Sequence, residues 1–257
     1  MVTRWGEHVR RRPALGAVEL AVGWQGVVVL VAKLLPPLTP HWFPQLGPTV
    51  VNLVAAAVML ALLRAWGLTQ AAGVTTWGRL ARWPVLLPLV VVSGLAALPG
   101  LTGDAPTLIG GVALTLGVGL SEELGYRALI LEVAQPLGAV RAVVLSTVLF
   151  GVEHLDNYLF FGASWDNTQW QVLSAGLFGF CLAGARLVIG SIWPLVLVHA
   201  LADYLQIYSP GRTPDWLQVL DIVVNLALGL VLLHRHVRHA PTPEPEPEPA
   251  GGAPLQP

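Results

Sequence analysis

The chain has few charged side chains and a single cysteine, and both shortages restrict what it can be. Of its 257 residues, 11% are charged and 54% are hydrophobic, whereas charged residues make up about 25% of a soluble domain. The lone Cys181 excludes an intramolecular disulfide and a metal cage built from cysteines. A net charge of −1 with dispersed basic residues argues against a nucleic-acid partner. The composition therefore predicts an all-α, polytopic transmembrane helical bundle in contact with the lipid bilayer.

Several motifs of membrane-embedded enzymes and transporters are also absent. The sequence has no HExxH motif, no serine set in a motif with a partner histidine and no pair of aspartates typical of an aspartyl dyad. It has no convincing internal repeat, which counts against a secondary transporter. The first apolar run is long and lacks a small-residue cleavage site, so we expect it to remain in the membrane as a helix.

The apolar segments predict about eight membrane spans. A spanning helix needs about 20 mostly apolar residues, and eight segments meet or nearly meet that length: 14–35, 46–66, 84–100, 106–131, 139–154, 169–188, 191–207 and 215–234. The third, fifth and seventh are short and could be shielded by their neighbours. Basic residues favour alternate loops, with Lys33 and Arg212 as mild exceptions, which predicts that both termini are cytoplasmic.

The distribution of residue types divides the chain into five regions. They are a basic cytoplasmic N-terminus at 1–13, N-terminal transmembrane helices at 14–83, a core at 84–207, a last helix with a basic end at 208–239 and a tail at 240–257. The tail consists of Pro-Glu repeats followed by Gly, Ala and Pro. Because proline breaks helices and the glutamates repel one another, we expect a disordered, extended tail without a catalytic role.

Three ionisable side chains lie inside the apolar segment 106–131. A charge at the bilayer centre costs at least ~2.5 kcal/mol, so such residues indicate a functional site by default. Glu123 and Arg127 are four residues apart on one helix face and are interpreted as a structural ion pair. Glu122 is rotated by about 100° on an ideal helix, which leaves it available for chemistry.

Two other spans carry ionisable side chains that could meet Glu122. His154 ends the fifth span, and His199 and Asp203 lie one turn apart in the seventh. Each of them alone could be a hydrogen-bonded packing residue, but one shared interior site explains them all. A carboxylate with an imidazole can activate water, and a second histidine with an aspartate could complete a metal site or stabilise an oxyanion.

The sixth span is rich in small residues, which permit close approach between helices. We therefore expect it to pack against the helices that carry the ionisable groups. The small residues are Gly176, Gly179, Ala183, Gly184 and Ala185.

These residues, in this order, resemble the CPBP family of intramembrane proteases, the CAAX protease and bacteriocin-processing family. The family pattern of EExxxR, then FxxxH, then HxxxN or HxxxD is filled here by 122–127, 150–154 and 199–203. The resemblance covers about residues 84–207, which makes that region the catalytic core. The stretch before the last motif also matches, through Phe178-Gly179, Gly184, Arg186 and Gly190-Ser191-Ile192.

The resemblance implies a membrane-embedded endopeptidase that cuts membrane-associated peptides or proteins. Glu122, helped by His154, would activate the attacking water. Glu123 and Arg127 would orient and support the site.

The resemblance also implies roles for the third motif and leaves the need for a metal open. His199 and Asp203 would polarise the scissile carbonyl or hold its oxyanion. A divalent metal such as zinc could be held by Glu122, His154, His199 and Asp203, and a metal-independent mechanism is the alternative. The family pattern allows asparagine or aspartate at the position of Asp203. Asparagine there could donate a hydrogen bond to an oxyanion, whereas ionised aspartate only accepts hydrogen bonds. Asp203 must therefore be protonated, orient His199 or bind a metal.

Two other classes of function stay open at this point. The chain could be a non-catalytic membrane scaffold, or an immunity or regulatory protein, that retains the fold. It could also be a transporter or proton channel that uses its Glu, His and Asp residues as a relay. Because the composition looks bacterial, we expect a location in the bacterial plasma membrane and do not expect a prenylated substrate.

Overall fold

A computed structural model describes residues 4–211 and 213–239, and in these two ranges the chain is helical without any strand. The predicted all-α class is therefore confirmed. The predictions for the Pro-Glu tail and for Arg212 concern residues outside the described ranges.

The helices alternate with turns and loops along the described chain. A 3₁₀ segment, Leu80–Leu86, runs directly into the fourth helix, and a π-helix, Glu123–Ile130, joins the fifth helix to the sixth. In chain order the α-helices are α1 (Arg4–Arg11), α2 (Pro13–Leu34), α3 (Leu46–Ala65), α4 (Leu87–Ala96), α5 (Ala105–Glu122), α6 (Leu131–Ala134), α7 (Ala139–Glu153), α8 (Asp156–Leu159), α9 (Trp165–Ile189), α10 (Trp193–Tyr208) and α11 (Asp215–Arg238).

All eight predicted spans are helical, but they differ in length. Among the described residues, α2, α3, α9, α11 and the continuous run Ala105–Leu137 are long and apolar enough to cross a membrane. The other three, Leu80–Ala96, α7 and α10, are the segments predicted to be short, and they are too short for that criterion. The helical membrane bundle is thus confirmed, with five rather than eight helices of full spanning length.

The start of α5 and both ends of α9 have local causes. The Asp104 carboxylate accepts a hydrogen bond from the Thr107 N–H and begins α5. The Ser164 hydroxyl does the same for the Asn167 N–H at the start of α9. Gly190 ends α9 with a φ of 83°, a left-handed conformation that glycine adopts readily. These ends are therefore encoded by residues next to them in sequence.

Small residues bring α9 close to its neighbours, as the sequence predicts. A Cβ on Gly151 of α7 would lie 3.2 Å from the Gly176 Cα atom, so these two helices cross almost backbone to backbone. Towards α11, a Cβ on Gly184 would lie 3.1 Å from the Leu232 side chain. The contacts of α9 with α7 and α11 are the most extensive in the bundle. This packing places the C-terminal end of α7 beside the middle of α9.

The loop after α3 is tied to the end of α9 and the start of α10. The Arg186 guanidinium donates hydrogen bonds to the carbonyls of Ala71 and Ala72, at 2.6 and 3.1 Å respectively. The Ser191 hydroxyl donates to the Thr76 carbonyl at 2.6 Å. Arg186 and Ser191, which precede the third motif, therefore attach this loop to the N-terminal end of α10, the helix that carries His199.

Candidate active site

The first motif lies at a change of helix type. The Leu131 N–H donates to the carbonyl of Tyr126, five residues earlier, which is the hydrogen-bond pattern of a π-helix. The Ser146 hydroxyl of α7 donates to the same carbonyl at 3.0 Å. All residues from Glu123 to Ile130 are buried. Because π-helical turns inside α-helices occur frequently at functional sites, this geometry agrees with the interpretation of the first motif as part of a functional site.

Arg127 and Glu123 form a fully buried ion pair. The Arg127 Nη1 atom lies 3.4 Å from Glu123 Oε1, and both side chains have no exposed surface. The guanidinium carbon lies 3.9 Å from the centroid of the Phe150 ring, in a cation–π contact. Gly179 leaves the space for this arrangement, because a Cβ there would lie 2.6 Å from Arg127 Nη2. The ion pair inferred from the sequence spacing is thus present in the structure.

His199 of α10 connects all three acidic side chains of the first and third motifs. Its Nδ1 lies 2.8 Å from Glu123 Oε1, and this nitrogen donates because a carboxylate only accepts. Its Nε2 lies 3.4 Å from Glu122 Oε2 and 3.6 Å from Asp203 Oδ2. Glu123 is therefore the nearer carboxylate and fixes the orientation of the His199 ring more firmly than Asp203 does. The sequence reading paired Glu123 with Arg127 alone and did not anticipate this second partner.

Aromatic rings fix the space around both histidines. Phe150 lies edge-on to His154 and His199, with centroid distances of 5.1 and 6.1 Å. Phe178 of α9 lies edge-on to His199 from another side at 5.1 Å. The phenylalanine of the second motif thus contacts both histidines as well as Arg127. It keeps the two rings apart while holding each in one orientation.

His154 directly follows Glu153, the last residue of α7. The His154 Nδ1 atom lies 2.9 Å from the Phe150 carbonyl and must donate its hydrogen there, which leaves Nε2 as an acceptor. Glu122, Glu153 and His154 can each place a ligand atom so that all three atoms lie within 4.8 Å of one another. Glu153 was missed in the sequence reading. One feature of the sequence could have pointed to it: Glu153 is a carboxylate next to the motif histidine, at a position that the FxxxH pattern leaves unspecified.

Glu122 links two groups of ionisable residues. On one side it faces His199, which in turn faces Asp203. On the other side it shares the cluster with Glu153 and His154. Within the described ranges, the acidic and histidine side chains whose donor atoms lie close enough to share one ion are those of this second group. The metal set proposed from the resemblance, with both histidines and Asp203, stays a prediction.

A cavity of about 500 Å³ reaches the site from outside the bundle. Glu122, Glu153 and His154 line it, and most of the remaining wall is apolar and comes from α2, α3, α5 and the Leu35–Leu38 segment. Asp156 also lines the cavity and accepts a hydrogen bond from the Gln25 amide. Partial burial raises the pKa of Asp156 above its ordinary value. The cavity therefore has one carboxylate-rich wall opposite apolar surfaces.

Comparison with known proteins identifies one related family. Residues 104–205 match the family model described as Type II CAAX prenyl endopeptidase Rce1-like. The match covers about two fifths of the chain and includes all three motifs. It confirms the resemblance inferred from those motifs. No curated protein and no solved structure matches the chain.

Proposed function

We propose that this chain, which belongs to the CAAX protease family through residues 104–205, is an endopeptidase that cuts membrane-associated peptides or proteins. Family membership and five long apolar helices support the general statement that it is an integral membrane protein of a protease family. One observation carries the proposal for the reaction itself. The Glu122 carboxylate lies in the cavity wall, 3.4 Å from His199 and in the same cluster as His154.

Glu122 and His154 are suited to activate a water molecule. Glu122 accepts a proton from the water, while the free Nε2 of His154 accepts the second hydrogen bond and positions the oxygen. The water oxygen then forms a bond with the carbonyl carbon of the peptide. As the C–N bond breaks, Glu122 returns the proton to the leaving nitrogen. Atoms and charges balance without any further reactant.

His199 is suited to stabilise the charge that develops on the carbonyl oxygen. Glu123 holds its Nδ1 side at 2.8 Å, so a hydrogen on Nε2 points towards the site. Donation from Nε2 to the developing oxyanion is the kind of preorganised interaction that lowers acyl-transfer barriers. Asp203, 3.6 Å from Nε2, supports the positive charge of the ring, and Arg127 balances the charge of Glu123.

A divalent metal ion such as zinc would fit the donor set of Glu122, Glu153 and His154. When bound, such an ion polarises a carbonyl or lowers the pKa of water. Among the residues that the structure describes, neither oxygen of Glu153 has a hydrogen-bond partner, so both could bind a cation.

The cavity favours a peptide segment with apolar side chains, because most of its lining residues are Val, Leu, Ala, Pro, Trp and Phe. Recognition would then rest on apolar contact, with the carboxylate wall acting on the scissile bond. The bacterial plasma membrane as location, with both termini in the cytoplasm, stays a prediction.

The proposal can be tested with the full chain in lipid nanodiscs and a library of apolar peptides, with products identified by mass spectrometry. Glu122→Gln should lower kcat by about 10²- to 10⁴-fold, the usual contribution of general acid–base catalysis. Glu132→Gln is the matched control, because Glu132 lies ten residues further along the same helical run and does not line the cavity.

Two outcomes would contradict the proposed peptidase. Glu122→Gln could cleave as fast as the folded wild type, which would remove Glu122 from the reaction. The folded wild type could also cleave no peptide while its function in cells survives Glu122→Gln, which would favour the non-catalytic scaffold.

A further inference from the structure

The cavity contains one carboxylate that neither the proposed reaction nor the three motifs use. This residue, Asp156 of α8, lies in the cavity wall three positions after Glu153. We propose that Asp156 and Gln25 of α2 form a subsite that binds a lysine or arginine side chain of the substrate peptide. The inference deepens the proposed function and rests on it, because it specifies the class of peptide that enters the same cavity.

The charges along the cavity favour a cationic ligand. Among the described residues, its lining includes the carboxylates of Glu122, Glu153 and Asp156 and contains no lysine or arginine. Asp156 is half-buried and forms no ion pair with any described residue. A cleft that is lined by charges of one sign and has low-dielectric walls concentrates ions of the opposite sign. A basic side chain that enters this cavity therefore meets a carboxylate that has no cation.

Gln25 holds the Asp156 carboxylate in place and adds a second acceptor beside it. The Gln25 amide nitrogen donates a hydrogen bond to Asp156 Oδ2. The Gln25 Oε1 atom is buried and has no hydrogen-bond partner in the described part of the chain. This oxygen shares a carbon atom with the donating nitrogen, so it lies close to the same carboxylate. Ammonium and guanidinium groups only donate hydrogen bonds, and they therefore match a carboxylate together with an amide oxygen.

The basic residue of α2 does not occupy the subsite. Lys33 lies eight positions after Gln25, which is about 12 Å along the helix. It donates a hydrogen bond to the Phe160 carbonyl at 2.8 Å, and its Nζ atom lies 5.4 Å from the centroid of the Phe161 ring. Lys33 thus attaches α2 to the residues that follow α8. The chain itself supplies no cation from α2 to Asp156.

The subsite is close enough to the reacting residues to select a position in the peptide. Glu153 and Asp156 are three residues apart, and three residues span at most about 11 Å of chain. The apolar walls of the cavity would hold the neighbouring side chains of the peptide. We expect the preferred substrate to be an apolar segment with a basic residue within about three positions of the scissile bond.

The test is peptide binding to the full chain in phosphatidylcholine nanodiscs, measured by fluorescence anisotropy. Each short apolar peptide carries one lysine, and its partner peptide carries the uncharged norleucine at the same position. We expect the wild type to bind the lysine peptide at least about fivefold more tightly at one or more positions, which is the upper limit for an exposed ion pair. Asp156→Asn should reduce this preference to less than about twofold.

Asp166→Asn is the matched control, because it removes the same charge from the exposed start of α9, outside the cavity. It should keep the wild-type preference, and circular dichroism with gel filtration checks that both variants fold. Carbodiimide cross-linking of the wild type provides a measurement that needs no variant, since the reagent joins a carboxylate to an amine that contacts it. Mass spectrometry should locate the lysine peptide on Asp156.

Three results would overturn the subsite. They are equal binding of lysine and norleucine peptides at every position, an undiminished preference in folded Asp156→Asn, and a cross-link confined to other carboxylates. Because binding is measured separately from cleavage, the two proposals fail separately. A wild type that prefers lysine peptides but cleaves none contradicts only the peptidase, and a wild type that cleaves peptides but binds both kinds equally contradicts only the subsite.

Discussion

Replacing Arg127 by methionine would leave Glu123 as a buried carboxylate with the His199 ring as its remaining partner. The two side chains are fully buried, with 3.4 Å between Nη1 and Oε1, and the guanidinium also stacks on Phe150. Methionine fills a similar space but carries no charge. Removal of one partner from a buried ion pair typically costs 3–5 kcal/mol, because the remaining charge is uncompensated. Because His199 still contacts Glu123, we expect Arg127→Met to lower the free energy of unfolding by about 3 kcal/mol, the lower end of that range.

A double-mutant cycle separates the ion pair from simple packing. Glu123→Gln removes the charge but keeps an oxygen that can accept the hydrogen bond from His199 Nδ1. Glu123→Gln combined with Arg127→Met should therefore recover much of the loss, with a coupling energy of about 2–3 kcal/mol. Unfolding in mixed micelles by a denaturing detergent, followed by tryptophan fluorescence, measures all four proteins. A coupling energy below about 0.5 kcal/mol would contradict a buried ion pair as the stabilising contact.

Two other predictions concern packing and a helix end. Gly179→Ala should destabilise the fold by about 1–3 kcal/mol, because the added Cβ would lie 2.6 Å from Arg127 Nη2. At Gly23, an added Cβ would meet no described atom within 4 Å apart from its chain neighbours and the local backbone of its own helix. Gly23→Ala should therefore be neutral or stabilising, and equal losses in both variants would refute the steric argument. The hydrogen bond from Thr107 lowers the pKa of Asp104, so its contribution is present above the unfolded pKa of about 3.9 and lost as the pH falls through the folded pKa. Wild type should therefore exceed Asp104→Asn in thermal stability at pH 7 and lose that advantage below about pH 4, and a difference independent of pH would contradict this.

The positions of the helices could be predicted because their causes are local. Long apolar runs determine where a chain can be buried in lipid, and capping residues such as Asp104 and Ser164 determine where a helix begins. The three motifs could also be recognised, because ionisable groups are costly in apolar segments and their order resembles that of a known family. The sequence alone therefore determined the class of fold and the resemblance to one protease family, and it supplied a set of candidate side chains.

The contacts among those side chains depend on packing between helices that are distant in sequence. His199 meets Glu123 across 76 positions because α5 and α10 approach closely at Gly119, where a Cβ would lie 2.9 Å from the Val196 carbonyl. The reading of Glu122 as turned away from its neighbours followed from an ideal α-helix viewed alone. In the bundle, one histidine ring faces both glutamates through its two nitrogens.

Glu153 shows most clearly what the tertiary structure decided. In the sequence it is an acidic residue at the end of an apolar helix, and nothing in its spacing separates it from a solvated residue. Its chemistry arises because α7 ends inside the bundle, which buries the carboxylate beside Glu122 and His154 without a hydrogen-bond partner among the described residues. The sequence determined which ionisable groups lie in apolar helices. The packing of α5, α7 and α10 decided which of these ionisable groups lie close enough to interact, because that depends on distances of a few ångström between separate helices.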